Sequence, residues 1–413
     1  MISSKIKVIL VIFLTVSFAA CADNLTNPGS DTPLEPRELT VAEKQLVEAD
    51  QAFSYDIFKR TVESEEGENV FISPLSISFA LGMALNGAEG ETFDAMQNVL
   101  NFSDMNLDDI NEGYRSLIEL LSEIDPEVQF KIANSIWARE GFQVNEDFID
   151  RLETYFDASF SELDFNDPAA KDIINQWVNE NTNGLIEKIL DGQISEKTVM
   201  FLINALFFDG DWMTQFDPEE TQKAEFQVET GETTEVDMME QEGSFAALFS
   251  DEVTMIELPY GDSLFSMTVL MPADNTMPVD DFVSDHITAE NLDKWRDELQ
   301  VEEVLLQLPK FDLEYEITFN EILKSMGMEI AFDPSQADFT GIADVRELFI
   351  SEVKHKAFVS VDEAGTEAAA VTSVAVPSSL PSSVTVDRPF VFIIHERTSG
   401  VNLFMGKVKN PNS

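Results

Sequence analysis

Leu46, Ala49, Phe53 and Ile57 recur at the three- and four-residue spacing of one helical face, which predicts an amphipathic first helix over residues 41–62. Residues 69–72 form a short apolar run that reads as a strand. Ser73-Pro74 then opens a second helix reaching residue 86, proline being tolerated in a first helical turn. Long apolar runs at 128–138 and 199–208 have the character of buried central strands. Further helices are expected at 167–180, carrying Trp177, and near 289–299. Residues 255–271 and 390–408 read as strands of a second sheet, and 348–360 is β-rich. No internal repeat or low-complexity tract interrupts this alternation, so a solenoid is not indicated.

Composition narrows the function. The chain has 413 residues, 44% hydrophobic and 10% aromatic, ample for a large core and too apolar for disorder. That length permits two or three domains, but a large mixed fold of this size can be single. Charge is lopsided: 78 acidic against 25 basic residues, formally −53. Such a surface repels phosphate backbones, which argues against nucleic acid and against polyanion cofactors. The acidity fits either life in high salt, where screening relaxes self-repulsion, or an acidic but ordinary secreted protein.

Catalytic signatures are missing. There is no Gly-x-Ser-x-Gly elbow, and the histidines are His286, His355 and His395. The acidic run 104–112 lacks the glycine and terminal glutamate of a calcium loop in their required places, and reads as a solvated face. No metal and no cofactor is expected, and the chain does not read as an enzyme.

The amino terminus is a targeting segment. Lys5 and Lys7 precede an apolar run, 8–20, too short to span a bilayer and ending in small residues. Cys21 is the sole cysteine and follows Phe18-Ala19-Ala20, an arrangement that resembles the lipobox of bacterial lipoproteins, although leucine is usual where Phe18 stands. Residues 1–21 are then the signal segment and Cys21 the lipidated mature terminus; ordinary cleavage after Ala22 is the alternative. Residues 22–40, rich in Asn, Asp, Pro and Thr, suit a flexible tether. Export to the bacterial envelope as a lipoprotein, or to the exterior, follows. The remaining chain has no disulfide and must be stabilised by its core.

Residues 361–372 are the most informative stretch. Small side chains dominate, and alternation puts Thr366, Ala368, Ala370 and Thr372 on one face with Glu367 on the other. Such a segment can enter a narrow gap in a sheet, where bulkier side chains would collide. The run Glu363, Ala364, Gly365, Thr366, Glu367, Ala368, Ala369, Ala370 resembles the reactive-loop hinge of inhibitory serpins. In that family a protease cuts the loop, which then inserts as a new strand and carries the trapped protease along. Asn69-Val70-Phe71-Ile72-Ser73-Pro74, Ala133-Asn134-Ser135-Ile136-Trp137, Asn204-Ala205-Leu206-Phe207-Phe208, Leu308-Pro309-Lys310-Phe311 and Asp387-Arg388-Pro389-Phe390 are similar to serpin segments in the same order.

The resemblance implies an α+β serpin fold, with eight or nine helices around three β-sheets and an exposed C-terminal reactive-centre loop. One domain, 41–411, would carry that loop at 363–386. It also implies roles. Ser73, Ser76, Asn204 and His355 match positions that hydrogen-bond where the central strands part. Trp212, Lys310 and Glu363 match positions where the loop first enters the sheet, and a Glu363–Lys310 ion pair is expected to hold that opening shut. Gly365 lends the hinge backbone freedom.

Counting from the hinge glycine puts the reactive bond between Ser379 and Leu380; counting back from Pro389 puts it between Ser378 and Ser379. Small residues there suit a serine protease with a shallow primary pocket, elastase-like or subtilisin-like. Residues 372–387 contain no Lys or Arg, which disfavours a trypsin-like target. Two readings stand: a monomeric suicide inhibitor of serine proteases, or a non-inhibitory binding or surface protein on the same scaffold.

Overall fold

Thr40 starts the first helix: its hydroxyl accepts the Glu43 amide while the Glu43 carboxylate accepts the Thr40 amide, a reciprocal cap. The computed structural model describes residues 39–228, 231–366 and 382–413. In it α1 (Val41–Ser64) buries Leu46, Ala49, Phe53 and Ile57, the stripe that the spacing predicts. β1 (Val70–Ile72) leads into α2 (Pro74–Leu85), which Ser73 caps through its hydroxyl. α2 is apolar nearly all round and buried along almost its whole length, as a helix threading a core must be. α3 (Gly90–Val99) and α4 (Leu107–Glu123) follow. The acidic start of α4, Asp108 and Asp109, lies at the positive end of its helix dipole behind the Asn106 cap.

Next come β2 (Val128–Arg139), α5 (Glu146–Phe156), β3 (Ala158–Leu163), α6 (Ala169–Asn181) and β4 (Met200–Asp211). β2 pairs antiparallel with β4 from Val128–Gly210 to Ala138–Met200, and parallel with β3. α6 covers this sheet: Ile174 and Val178 join Trp137, Ile186 and Ile203 in a small core of their own. Trp137 and Trp177 meet edge-on at 6.2 Å.

The remainder supplies β5 (Gln222–Gln227), β6 (Thr233–Phe249), β7 (Val253–Tyr260), β8 (Phe265–Pro272), α7 (Val279–His286) and α8 (Ala289–Glu298). β9 (Gln300–Pro309), β10 (Phe311–Thr318), α9 (Asn320–Leu323), β11 (Lys354–Val361) and β12 (Gly365–Thr366) follow. β13 (Ser382–Thr385), β14 (Phe390–Glu396) and β15 (Asn402–Val408) end the chain. The largest sheet runs β1-β15-β14-β8-β7-β6-β9-β13, with β5 on β6. Its strands β8, β14 and β15 are buried along their whole length, so they show no polar alternation. Phe71 stacks on Phe404 at 5.2 Å and on Phe392 at 5.7 Å, tying β1 to that interior.

The β-rich reading of 348–360 holds only from Lys354 onward. Ile350 donates its amide to the Ala331 carbonyl rather than to a ladder, and 348–353 is irregular. The described residues fall in one compact unit, Pro36–Ser413. They comprise nine α-helices and three sheets, the α+β architecture expected. No described helix is long and apolar enough to cross a membrane.

Candidate functional site at a cleft between two strands

Two of the sheets are smaller, and residues of β4 in one and β11 in the other line a shared cleft. Among the described residues β11 pairs with β10 alone, and the other sheet has the order β12-β4-β2-β3. No ladder joins β4 to β11 among the described residues, so over Met200–Asp209 β4 is paired only on its β2 side. Between them lies a cleft of about 830 Å³. Strand edges without partners are ready-made templates for another strand.

His355 sits on the inward face of β11 with Ala357, Val359 and Val361, while Lys354, Lys356, Phe358 and Ser360 are half-exposed on the other face. The Ser73 amide donates to His355 Nε2 at 3.0 Å. The Ser73 hydroxyl donates to the Leu403 carbonyl at 2.7 Å and accepts the Ser76 amide at 3.2 Å. Burial pushes His355 down to about 3, so the ring is neutral and its Nε2 is free to accept.

Asn204 stands apart from this group. Its Nδ2 donates to Asn134 Oδ1 at 2.9 Å, and Asn134 Nδ2 donates to the Phe156 carbonyl at 2.7 Å. The Asn204 Oδ1 is buried and has no hydrogen-bond partner among the described residues. Ser73, Ser76 and His355 thus form one network, and Asn204 belongs to another on the β4 side. The separation of β4 from β11 accounts for the division.

At one end of the cleft the chain leaves β11 and turns. The Glu363 carboxylate accepts from Lys310 Nζ at 2.5 Å and from the Thr221 hydroxyl at 2.7 Å. Burial alone would raise the Glu363 pKa, but these donors outweigh it and hold the carboxyl below its usual range. Burial would likewise lower Lys310, and its bond to Glu363 outweighs that and raises it. Backbone bonds fix the same turn: Phe216 donates to the Glu363 carbonyl at 2.9 Å, and Trp212 to the Ala364 carbonyl at 2.8 Å. The Trp212 indole donates to the Asp362 carbonyl at 2.9 Å, and its ring stacks on Tyr260 at 4.4 Å.

Gly365 and Thr366 then pair antiparallel with Asp211 and Gly210 of β4. Gly365 has φ +146°, and a Cβ there would lie 2.4 Å from the Gly210 carbonyl oxygen and 2.7 Å from the Trp212 nitrogen. Only glycine fits. β12 is therefore a strand begun on the β4 edge of the cleft.

Sequence reasoning places Glu363, Lys310 and Trp212 at one locus, where the structure also has them. It missed Thr221, which lies 142 residues from Glu363 and has no local signal, and Asn134 as the partner of Asn204. Asp362 was also missed, although an Asp three residues before a Gly is a turn signature. Glu367, Ala368, Ala369 and Ala370, the bonds at Ser378, Ser379 and Leu380, and Cys21 lie outside the described residues. No group of three or more His, Cys, Asp or Glu suited to hold a metal occurs among the described residues.

A family profile described as Serpin (serine protease inhibitor) matches residues 48–411. Neuroserpin from Homo sapiens is 32% identical over 384 residues, covering 89% of this chain and 92% of that protein. Leukocyte elastase inhibitor from Sus scrofa is 34% identical over 381 residues, covering 89% and 100%. The native crystal structure of tengpin, a thermophilic serpin, superposes with a TM-score of 0.81 at 33% identity, covering 92% of this chain and 96% of tengpin. Human thyroxine-binding globulin, solved in complex with its thyroxine ligand, gives a TM-score of 0.82 at 28% identity, covering 90% and 100%.

Proposed function

The chain belongs to the serpin family, and we propose that it inhibits serine proteases as a suicide substrate. The protease hydroxyl attacks the carbonyl of Ser379, or of Ser378, forming an acyl ester and releasing the amine of the following residue. The freed loop then enters the cleft beside β4 before water can hydrolyse the ester. The observation that carries this reading is β12: the hinge has two residues in register with β4, at the end of a cleft that separates β4 from β11. Thr366, Ala368, Ala370 and Thr372 supply the small inward face that continued pairing needs. The chain's own peptide bond is spent in this step and not regenerated, so it acts as an inhibitor rather than a catalyst.

The preferred targets are elastase-like or subtilisin-like enzymes, given the small residues at 376–379 and the missing Lys and Arg. Similarity to leukocyte elastase inhibitor is in line with that choice. The protein acts as a monomer, exported from a bacterial cell and held at the envelope through lipidated Cys21, with no nucleic acid, polyanion or metal partner. Similarity to thyroxine-binding globulin supports the second reading, a non-inhibitory binding or surface protein on the same scaffold. Incubation with a panel of serine proteases separates the two. An inhibitor gives an SDS-stable adduct, a released C-terminal peptide beginning at Leu380 or Ser379, and a cut form melting far above the intact one. A non-inhibitory binding or surface protein is cut without adduct.

A further inference from the structure

Asp362 folds the turn between β11 and β12. Its Oδ1 accepts the Ala364 amide at 2.9 Å and the Gly365 amide at 3.3 Å, while its own amide donates to the Gly365 carbonyl at 3.1 Å. The side chain therefore closes the loop that its backbone opens, and occupies two donors that would otherwise seek water. The Asp362 carbonyl takes the Trp212 indole N–H, which anchors the turn to the end of β4. Glu363, by contrast, points out of the turn toward Lys310 and Thr221. Holding the turn and clamping it to its surroundings are thus done by two adjacent acids.

We infer that Asp362 is a positioning residue that pre-folds the hinge and so sets the register in which the loop begins to pair with β4. The inference rests on the inhibitory reading for its consequence, but not for its geometry. A hinge already turned has two residues in place when the loop is cut, so insertion proceeds by extending a ladder instead of starting one. Starting is the slow step, because the turn must be ordered before any pairing rewards it. The race between insertion and hydrolysis of the ester is then partly decided at Asp362.

The negative charge is not what the role needs. Asp211, opposite Gly365 in the ladder, is raised by burial and then by the nearby Asp362 and Glu127 carboxylates, a mutual repulsion at the hinge. An amide oxygen at 362 would keep the acceptor and remove that repulsion.

The test uses the full chain with Asp362→Ala and Asp362→Asn. Hydrogen exchange on the intact proteins reads the turn directly, and adduct yield with a reactive protease reads insertion. Asp362→Ala is expected to exchange the amides at 364–366 at least tenfold faster than wild type, with unchanged global melting, and to lower the adduct-to-cut ratio at least threefold. Asp362→Asn is expected to keep both within about twofold of wild type. Unchanged exchange in Asp362→Ala overturns the inference, as does faster exchange with an unaltered adduct ratio or a failure of asparagine to rescue. If wild type forms no adduct with any protease, the inhibitory reading fails; the exchange comparison and the rate of heat stabilisation after cutting still decide the role of Asp362.

Discussion

The Ser73 amide donates to Nε2 of His355 at 3.0 Å, a bond that exists only while that nitrogen carries no proton. It ties the start of α2 to the inward face of β11, on one side of the cleft.

This bond predicts acid sensitivity. His355 ionises at about 3 in the folded protein, against an ordinary 6.5, because burial opposes the charge. A depressed histidine contributes stability above pH 6.5 that is lost as pH falls toward 3, since the unfolded chain takes the proton first. The ceiling is on the order of 5 kcal/mol, and about 2 kcal/mol is expected to be gone by pH 5. His355→Gln keeps an acceptor but cannot titrate. Urea midpoints measured at pH 7.5 and 5 should converge between wild type and this variant as the acid is added; parallel shifts would refute the assignment.

Lys310 and Glu363 predict a smaller effect. The lysine side chain is 36% exposed, so its partner is partly screened by water. Lys310→Met is expected to cost about 0.5–1 kcal/mol at low salt, and less at high salt. Because the Glu363 pKa is held down, its contribution is present above the ordinary glutamate pKa and lost as pH falls below it. Thermal unfolding of Lys310→Met at two ionic strengths checks this, and a loss that grows with salt would contradict it.

Gly365 gives a sharper test. A methyl group at this position would meet the Gly210 carbonyl oxygen at 2.4 Å in a backbone conformation that L-residues rarely adopt. Gly365→Ala should leave folding intact, since β12 is only two residues long, but displace it from β4. Amide exchange at Gly210 and Asp211 should quicken, and adduct yield should fall several-fold. The companion change, Thr366→Arg, puts a charge on the face that alternation assigns to the sheet interior. That variant is expected to be cut normally by the target protease but to form no SDS-stable adduct.

Much of the fold could be read from the order of residues because its signals are local. The heptad-like stripe of α1, the Ser73-Pro74 start of α2 and the small residues of the hinge each announce themselves within a few positions. The parting of β4 from β11 does not. β4 is a largely apolar run and β11 an alternating one, both of ordinary kind, and whether they share a ladder is decided by register across some 150 residues of chain. Asn204 illustrates the difference: its type and place suggest a polar network, but its partner, Asn134, follows from the β2–β4 pairing that sets the two opposite each other. Thr221 reaches Glu363 for the same non-local reason. Residues 348–353 misled because apolar composition alone does not distinguish a strand from a packed, irregular segment.

Asp50 predicts the opposite pH response to His355. It lies in α1 and is 1% exposed, and neither carboxyl oxygen has a hydrogen-bond partner among the described residues. Burial pushes its pKa up to about 7, and the nearby Ser78 hydroxyl, itself bonded to Tyr114 at 2.8 Å, offsets only part of that. Here the folded value exceeds the ordinary 3.8, so the native state holds a proton that the unfolded chain has already released. Stability is therefore full below about pH 4, falls as pH rises to about 7, and levels off above; the total is on the order of 4 kcal/mol. Asp50→Asn removes the titration and keeps the shape. Relative to the two proteins at low pH, the variant should be more stable than wild type by a few kcal/mol at pH 8, and at pH 4.5 that gap should have shrunk to about 1 kcal/mol. Urea unfolding across this range gives the answer, with a gap that does not widen as pH rises counting against a buried, unpaired acid. Since His355 weakens the fold on the acid side and Asp50 on the alkaline side, the double variant should show a flatter profile than either single one, provided the two sites act independently.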